Sequence, residues 1–363
     1  MPPLEAWEKP WVRSKPFLAS VHGQIGCTAC HGGNAQAGDK ALAHEAIVTD
    51  PSVQPEQSCG GCHGDIAGTF TLSLHSTFRG LETALLERAG QEEMPTSLVQ
   101  AVDNHCANCH ASCGQCHVSI PTYLGGGLSS GHKFMAEPPM AESCMACHGT
   151  RVGHEYTGAN EGVAPDVHWE KAHMPCTECH SEELHGTGEE YDQRYAEEEG
   201  PQCIDCHQSA LSPAVGIIQH TIHDDKLSCQ TCHSQVYKNC FGCHVGIDSK
   251  GVAYAKSEAS VMDFKIGRNV APSPLHPYEY APVRHVPVEP DTFAYYGEGL
   301  LPDFDARPTW LYATPHNIQR ITPQNQSCDA CHGNDDLFLT PEDVQPEEQE
   351  ANKDVVLEAS PAQ

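Results

Sequence analysis

The sequence offers no run that approaches the roughly 18 consecutive apolar residues of a membrane-spanning helix. Residues 1–12 lack the apolar stretch of a secretion signal, being broken by Glu5, Glu8, Lys9 and three prolines. Basic charge is scarce: 20 lysines and arginines stand against 49 aspartates and glutamates, a formal charge of −29. That balance argues against nucleic acid and anionic lipid as partners. It leaves basic redox proteins, cations, positively charged mineral surfaces or plain solubility as uses for the acidity. Methionine is also sparse, at 7 residues.

Cysteine, by contrast, is abundant. The 20 cysteines fall into ten pairs, each with two residues between, and each second cysteine is followed directly by histidine. The first five are Cys27–Cys30–His31, Cys59–Cys62–His63, Cys106–Cys109–His110, Cys113–Cys116–His117 and Cys144–Cys147–His148. The second five are Cys176–Cys179–His180, Cys203–Cys206–His207, Cys229–Cys232–His233, Cys240–Cys243–His244 and Cys328–Cys331–His332. No cysteine is left over. A disulfide framework is unusual in a chain this long, because such frameworks mostly rescue domains too small for a core.

Two cysteines three positions apart share one face of a helical turn, so their sulfurs reach the two vinyl groups of one porphyrin. The histidine that follows can then reach the iron. The motif therefore predicts covalent c-type haem, whereas zinc knuckles or thiol redox sites would place no histidine after every pair. Ten haem c groups leave about 36 residues for each, too few for separate pockets. The haems are expected to pack on one another and to form most of the core. His110 and His117 are seven steps apart, at most roughly 25 Å if extended and about 10 Å if helical. With His233 and His244 also close in sequence, both pairs should carry neighbouring haems.

Iron in such haems takes a sixth ligand, usually histidine or methionine. Of 24 histidines, fourteen lie outside the motifs. His22 and His223 precede motifs by short lead-ins; His44, His75 and His132 are lone histidines in their linkers. His168 and His185 flank the Cys176 motif, with His154 and His173 as rivals. His220 shares a helical face with His223. His285 and His316 occupy the long cysteine-free stretch and can serve distant haems. These ten, His22, His44, His75, His132, His168, His185, His220, His223, His285 and His316, are the expected distal ligands. His105 abuts Cys106, and His276 lies between two prolines. Met140, Met145 and Met174 lie near motifs and are read as packing rather than ligating.

Periodicity is weak outside residues 80–89, where Leu81, Leu85 and Arg88 share a stripe that Ser76 or Thr77 would cap, and residues 96–104, which look helical. The three glycines 125–127 form a turn without the flanks of a phosphate loop. Residues 245–327 hold ten prolines and no cysteine. They read as an extended arm with edge strands such as 283–288, or alternatively as a substrate-binding domain. Residues 340–363 have the acidic composition of a disordered tail. Three regions follow: an N-terminal haem region 1–130 with motifs one to four, a central haem region 131–248 with motifs five to nine, and an arm 249–363 with the last motif. The expected fold class is irregular and loop-rich, with short α-helices, few short strands and a haem-stack core.

With these motifs and the histidine surplus, residues 27–332 resemble the multihaem c-type cytochromes of respiratory and extracellular electron transfer. The resemblance implies an electron carrier without a catalytic site. Its haem number is similar to that of the periplasmic subunit of porin–cytochrome conduits, and the loop-rich pattern is similar to filament-forming cytochromes, which pass electrons between subunits end to end. The first likeness implies a periplasmic carrier, the second an extracellular or cell-surface homopolymer that serves redox proteins or minerals. A multihaem oxidoreductase with one open haem is the rival class, although none of the ten motifs replaces histidine with lysine as such enzymes often do. Because haem is attached beyond the cytoplasm, an export signal is expected to have been removed, so that the numbering is that of the mature chain.

Overall fold

Short turns carry most of the motifs, and little regular structure separates them. The computed structural model describes residues 15–107, 111–181, 183–193, 196, 200–224 and 226–358. Among these the longest helices, Gly60–Phe70 and Arg79–Ala89, have 11 residues each. Most others are single turns, joined by irregular loops and a few short strands. No helix of the described residues is long and apolar enough to cross a membrane. Cys109 and His110 lie outside the described residues.

The chain divides into two compact units, each discontinuous in sequence rather than cut into consecutive regions. The first comprises Met1–Thr77, Asn108–Cys147 and Leu184–Glu190; the second comprises Phe78–Ala107, His148–Glu183 and Tyr191–Gln363.

In the first unit, the turns Cys27–His31 and Cys113–His117 are isolated five-residue helices. Gly32 ends the first with φ +65, and a Cβ there would stand 2.8 Å from the Ala46 carbonyl oxygen. Only glycine meets both demands. Gly60–Phe70 breaks at His63, whose φ −118 and ψ 42 interrupt the helix before it resumes. Buried side chains here are few: Phe70 and Val118 beside small Ala67 and Ala146, and polar ones such as Ser52 and Ser112. The three apolar clusters found among the described residues all belong to the second unit.

In the second unit, Arg79–Ala89 and Thr96–His105 pack through Leu85, Ala89, Leu98, Ala101 and Val102 against Phe293 and Leu301. Two sequence expectations fail in this helix pair. Leu81 is exposed, and Phe78 is the N-cap, with no side-chain hydrogen bond; Thr77 Oγ1 donates to the Ser73 carbonyl instead.

The seven strands found among the described residues also belong to this unit: β1 Tyr237–Lys238, β2 Cys243–Ile247, β3 Ala253–Ser257, β4 Met262–Asp263, β5 Lys265–Arg268, β6 Tyr280–His285 and β7 Trp310–Tyr312. They form antiparallel pairs β1–β4 and β2–β3, and a three-stranded sheet ordered β5–β6–β7. The stretch does hold edge strands, as expected, but the run 283–288 is not one of them. β6 is the central strand, with Ala281, Pro282, Val283 and Arg284 all buried. Pro282 is tolerated because its carbonyl still accepts from Ala313 N at 2.8 Å while β7 pairing starts at Val283.

The acidic C-terminal segment is likewise no free tail as far as Glu358. Val344, Val355 and Leu357 insert into the clusters around Val283, Ile266 and Phe338. Asn352, fully buried, accepts from Thr309 N and Trp310 N and donates to Thr309 Oγ1 and the Glu348 carbonyl. Average composition conceals these few apolar anchors.

Candidate metal centres

A motif histidine becomes a metal ligand only if its ring is aimed, and the local turns do the aiming. In four motifs, Cys27–His31, Cys113–His117, Cys144–His148 and Cys229–His233, both cysteines and the histidine share one α-turn. Cys203–Cys206 is also α-helical, fixed by a reciprocal cap between Gln202 and Asp205. Cys176–Glu178 and Cys328–Ala330 form 3₁₀ turns. The ninth motif differs: Cys243 and His244 open strand β2.

Across from these turns stand other histidines. In the first unit the ring centres of His22 and His63 are 6.3 Å apart, those of His31 and His132 6.0 Å, and those of His117 and His185 6.1 Å. In the second unit the separations are 5.9 Å for His168 and His207, 6.3 Å for His180 and His316, 6.1 Å for His220 and His233, and 6.1 Å for His223 and His332. Each of the seven pairs joins one motif histidine to one from outside the motifs. An imidazole nitrogen bonds a metal at about 2 Å and its ring centre lies about 1 Å beyond, so two imidazoles in line across one metal put their ring centres roughly 6 Å apart. A tetrahedral site would draw them in to about 5 Å.

The second ring nitrogens follow the same logic. A ligating histidine donates its other N–H to a carbonyl or carboxylate, which leaves the ligating nitrogen with a lone pair. His31 Nδ1 donates to the Val48 carbonyl at 2.7 Å, His117 Nδ1 to Met135 at 2.6 Å and His220 Nδ1 to Ala210 at 2.8 Å. His223 Nδ1 donates to Gln219 at 3.0 Å, His233 Nδ1 to Gln319 at 3.1 Å and His316 Nδ1 to Thr314 at 2.7 Å. His168 Nδ1 meets Asp166 Oδ1 at 2.8 Å. Burial lowers the pKa of His132, His185 and His233, with a neighbouring histidine adding to it, and burial beside His180 pushes His316 down to about 4. These rings are held neutral, the state that binds metal. His168 moves up instead, through its hydrogen bond to Asp166.

Two histidines expected as distal ligands, His285 and His44, are placed differently. His285 lies on Trp310, ring centres 5.0 Å apart, and its Nε2 meets the Glu348 carboxylate oxygens at 3.0 and 2.9 Å. The nitrogen it would offer a metal is taken, and a distal role for it is withdrawn. His44 is exposed and donates Nδ1 to the Lys40 carbonyl at 2.7 Å; no motif histidine ring faces it among the described residues. The His75 carbonyl accepts from Ala111 N at 3.1 Å, Ala111 being the residue that follows the third motif in the sequence. Of the remaining histidines, His105 uses Nε2 on the Tyr296 hydroxyl at 2.8 Å and His276 Nδ1 meets the Tyr312 hydroxyl at 3.1 Å. His173 is the left-handed end of Val167–Ala172, its ring edge-on to Trp169. His154 opens the turn His154–Thr157, and His148 closes Cys144–His148.

Thiols of different motifs also approach one another. In the first unit Cys59 is raised by burial and by Cys30, and it shares a hydrogen bond with Cys113; Cys116 is pushed up to about 11 by burial and by Cys144. In the second, burial and then Cys206 raise Cys179, the Cys203–Cys229 hydrogen bond drives Cys203 up and Cys229 down, and Cys232 is pushed up to about 11 by burial and by Cys331. Two strings of neighbours result: motifs one, two, four and five, and motifs six, seven, eight and ten. Cys240 of the ninth motif accepts from Arg151 at 2.9 Å.

Apolar surface is left uncovered near the motifs. Large apolar side chains beside the motifs stand in the open, among them Val21 at 79%, Ile218 at 61% and Ile222 at 56% exposure. Sequence reasoning missed the carboxylates that hold this framework. Buried Glu155 pairs with Arg284 and accepts from His316 N at 3.0 Å, and buried Asp166 binds His168. For Asp166 the signal was there in its spacing, two residues before a histidine.

No family model matches the chain, and no curated protein or solved structure shows significant similarity to it.

Proposed function

We propose that the chain is a ten-haem c-type cytochrome that conducts electrons outside the cytoplasm, at the cell surface, with subunits joined end to end. The observation that carries this reading is the set of seven motif–non-motif histidine pairs with ring centres 5.9–6.3 Å apart. Each motif would hold one haem through two thioethers, and each pair would supply its two axial nitrogens. The bound haem iron supplies a one-electron couple. The surrounding carbonyls orient the imidazoles and burial keeps several of them neutral, and the porphyrins would cover the exposed apolar side chains and complete the sparse core of the first unit. The two strings of neighbouring thiols give the order in which haems would adjoin within each unit. His75 is the ligand assigned to the third motif, on the strength of its hydrogen bond to Ala111.

A second reading, an oxidoreductase with one open haem, has a specific observation in its favour. His244 faces no histidine ring among the described residues, and its Nδ1 lies 3.6 Å from Asp291 Oδ1. One experiment separates the two. Intact mass of the denatured protein should equal the polypeptide plus ten haems, and electron paramagnetic resonance of the oxidised protein should show low-spin iron throughout. A high-spin signal worth one haem, with carbon monoxide binding to that haem after reduction, would favour the oxidoreductase. A mass without haem would end both readings.

A further inference from the structure

Within the seven facing pairs, one non-motif histidine is seen held by a carboxylate. His168 Nδ1 donates to Asp166 Oδ1 at 2.8 Å, whereas the Nδ1 atoms of His31, His117, His220, His223, His233 and His316 donate to neutral backbone carbonyls. Asp166 is 2% exposed. Its oxygens are otherwise engaged by backbone amides alone: Oδ1 accepts from His168 N and Oδ2 from Ile318 N, both at 2.8 Å. No lysine or arginine among the described residues shares the carboxylate. A buried negative charge of this kind draws the ring proton towards itself and makes the imidazole a more basic ligand.

We propose that Asp166 is a redox-tuning residue: through His168 it gives the haem of the seventh motif a more negative potential than the five sites where a ring is seen to donate to a backbone carbonyl. The inference rests on the haem reading above. A strongly basic axial nitrogen and a buried negative charge both favour ferric over ferrous iron, and hydrogen bonding around the ligands is one of the levers that set haem potentials. The position gives this a consequence. The seventh motif lies between the sixth and eighth in the thiol string of the second unit, so its haem becomes an uphill step within that string. Asp166 also steadies the sixth site. Its Oδ2 and the amide of Val167 both bond Ile318, two residues beyond His316.

The test uses the purified holoprotein and two variants, Asp166→Asn and Asp166→Glu. In a spectropotentiometric titration, one haem's share of the absorbance at the negative end of the wild-type curve should move positive in Asp166→Asn. At a fixed potential there, its ferric-to-ferrous ratio should fall by roughly tenfold or more, with part of the shift restored in Asp166→Glu. Superimposable curves from low-spin, fully loaded variants would overturn the proposal. Should Asp166→Asn fail to load haem, the wild-type protein still decides. Near-infrared magnetic circular dichroism of the ferric form should show one haem with the displaced charge-transfer band of an imidazolate-like ligand, and a spectrum without it would refute the inference. Fewer than ten haems in the wild type would instead count against the haem reading.

Discussion

His220 and His223 lie three positions apart on the helix Ile218–His223, yet their rings face different motifs, His220 opposite His233 and His223 opposite His332. Each donates Nδ1 to a separate carbonyl, Ala210 for the first and Gln219 for the second. One short turn thus couples the eighth and tenth motifs. Their cysteines approach as well, through Cys232 and Cys331.

This coupling predicts the outcome of removing each ring. If the chain binds haem as proposed, His220→Ala should convert one haem of ten to high spin and His223→Ala a different one, and the double variant should show two. Paramagnetic resonance of the three oxidised variants checks the count. If either single variant stays wholly low-spin, the assignment of that histidine fails.

Glu155 and Arg284 form a buried ion pair, and the same Glu155 accepts from the His316 amide. Glu155→Gln should cost about 3–5 kcal/mol, because Arg284 remains charged and buried without its partner. It should also raise the high-spin fraction at the sixth motif as His316 loosens. Adding Arg284→Met should recover much of the stability and little of the spin state. Thermal unfolding followed alongside the haem spectrum separates the two effects.

These residues show how far the sequence could be read. Spacing alone marks the ten motifs, because the cysteine and histidine positions are local within a turn. The choice of His22 and His223 follows from short lead-ins to a motif, and that of His132 from its being the lone spare histidine in its linker. Which ring meets which motif is not local. His316 meets His180 only because Glu155 and Asp166, far away in sequence, hold residues 316–318. The C-terminal segment was hidden for a related reason. Its average composition is acidic, while its placement depends on Val344, Val355, Leu357 and the single buried amide of Asn352. His285 went astray because its true partner, Glu348, lies in that segment.

For His285 the expectation is therefore a stability effect without a spectral one. His285→Ala removes the partner of a carboxylate that is 5% exposed, which should cost about 1–3 kcal/mol. Every haem band should stay unchanged. A new high-spin signal in this variant would restore His285 as a ligand.

Electron exchange with a basic partner should slow as salt is added. The charge of −29 steers encounters over distances that ions screen, with a Debye length of about 10 Å at 0.1 M. Stopped-flow reduction by a cationic redox protein across an ionic-strength series tests this. A flat profile would leave the acidity a solubilising role alone.

The last prediction concerns assembly. An arm that lends His285 or His316 to a neighbouring subunit finds no support in the structure, since His285 is spent on Glu348 and His316 faces His180 in its own chain. His44 is different. It is exposed, its Nδ1 is fixed to the Lys40 carbonyl at 2.7 Å, and that bond leaves Nε2 with a free lone pair. The ring is prepared as a ligand, without a facing motif histidine in its own chain among the described residues. If subunits join end to end, His44 is the histidine placed to reach a haem beyond its chain. His44→Ala should then shorten or abolish filaments in electron micrographs, and one haem per chain should lose its low-spin signal only under conditions where the wild type assembles. Dilute protein should retain the spectra of the seven paired sites. Should His44→Ala lose a low-spin haem in the isolated monomer as well, His44 serves its own chain; should it change neither assembly nor spectrum, its prepared geometry has no use in ligation.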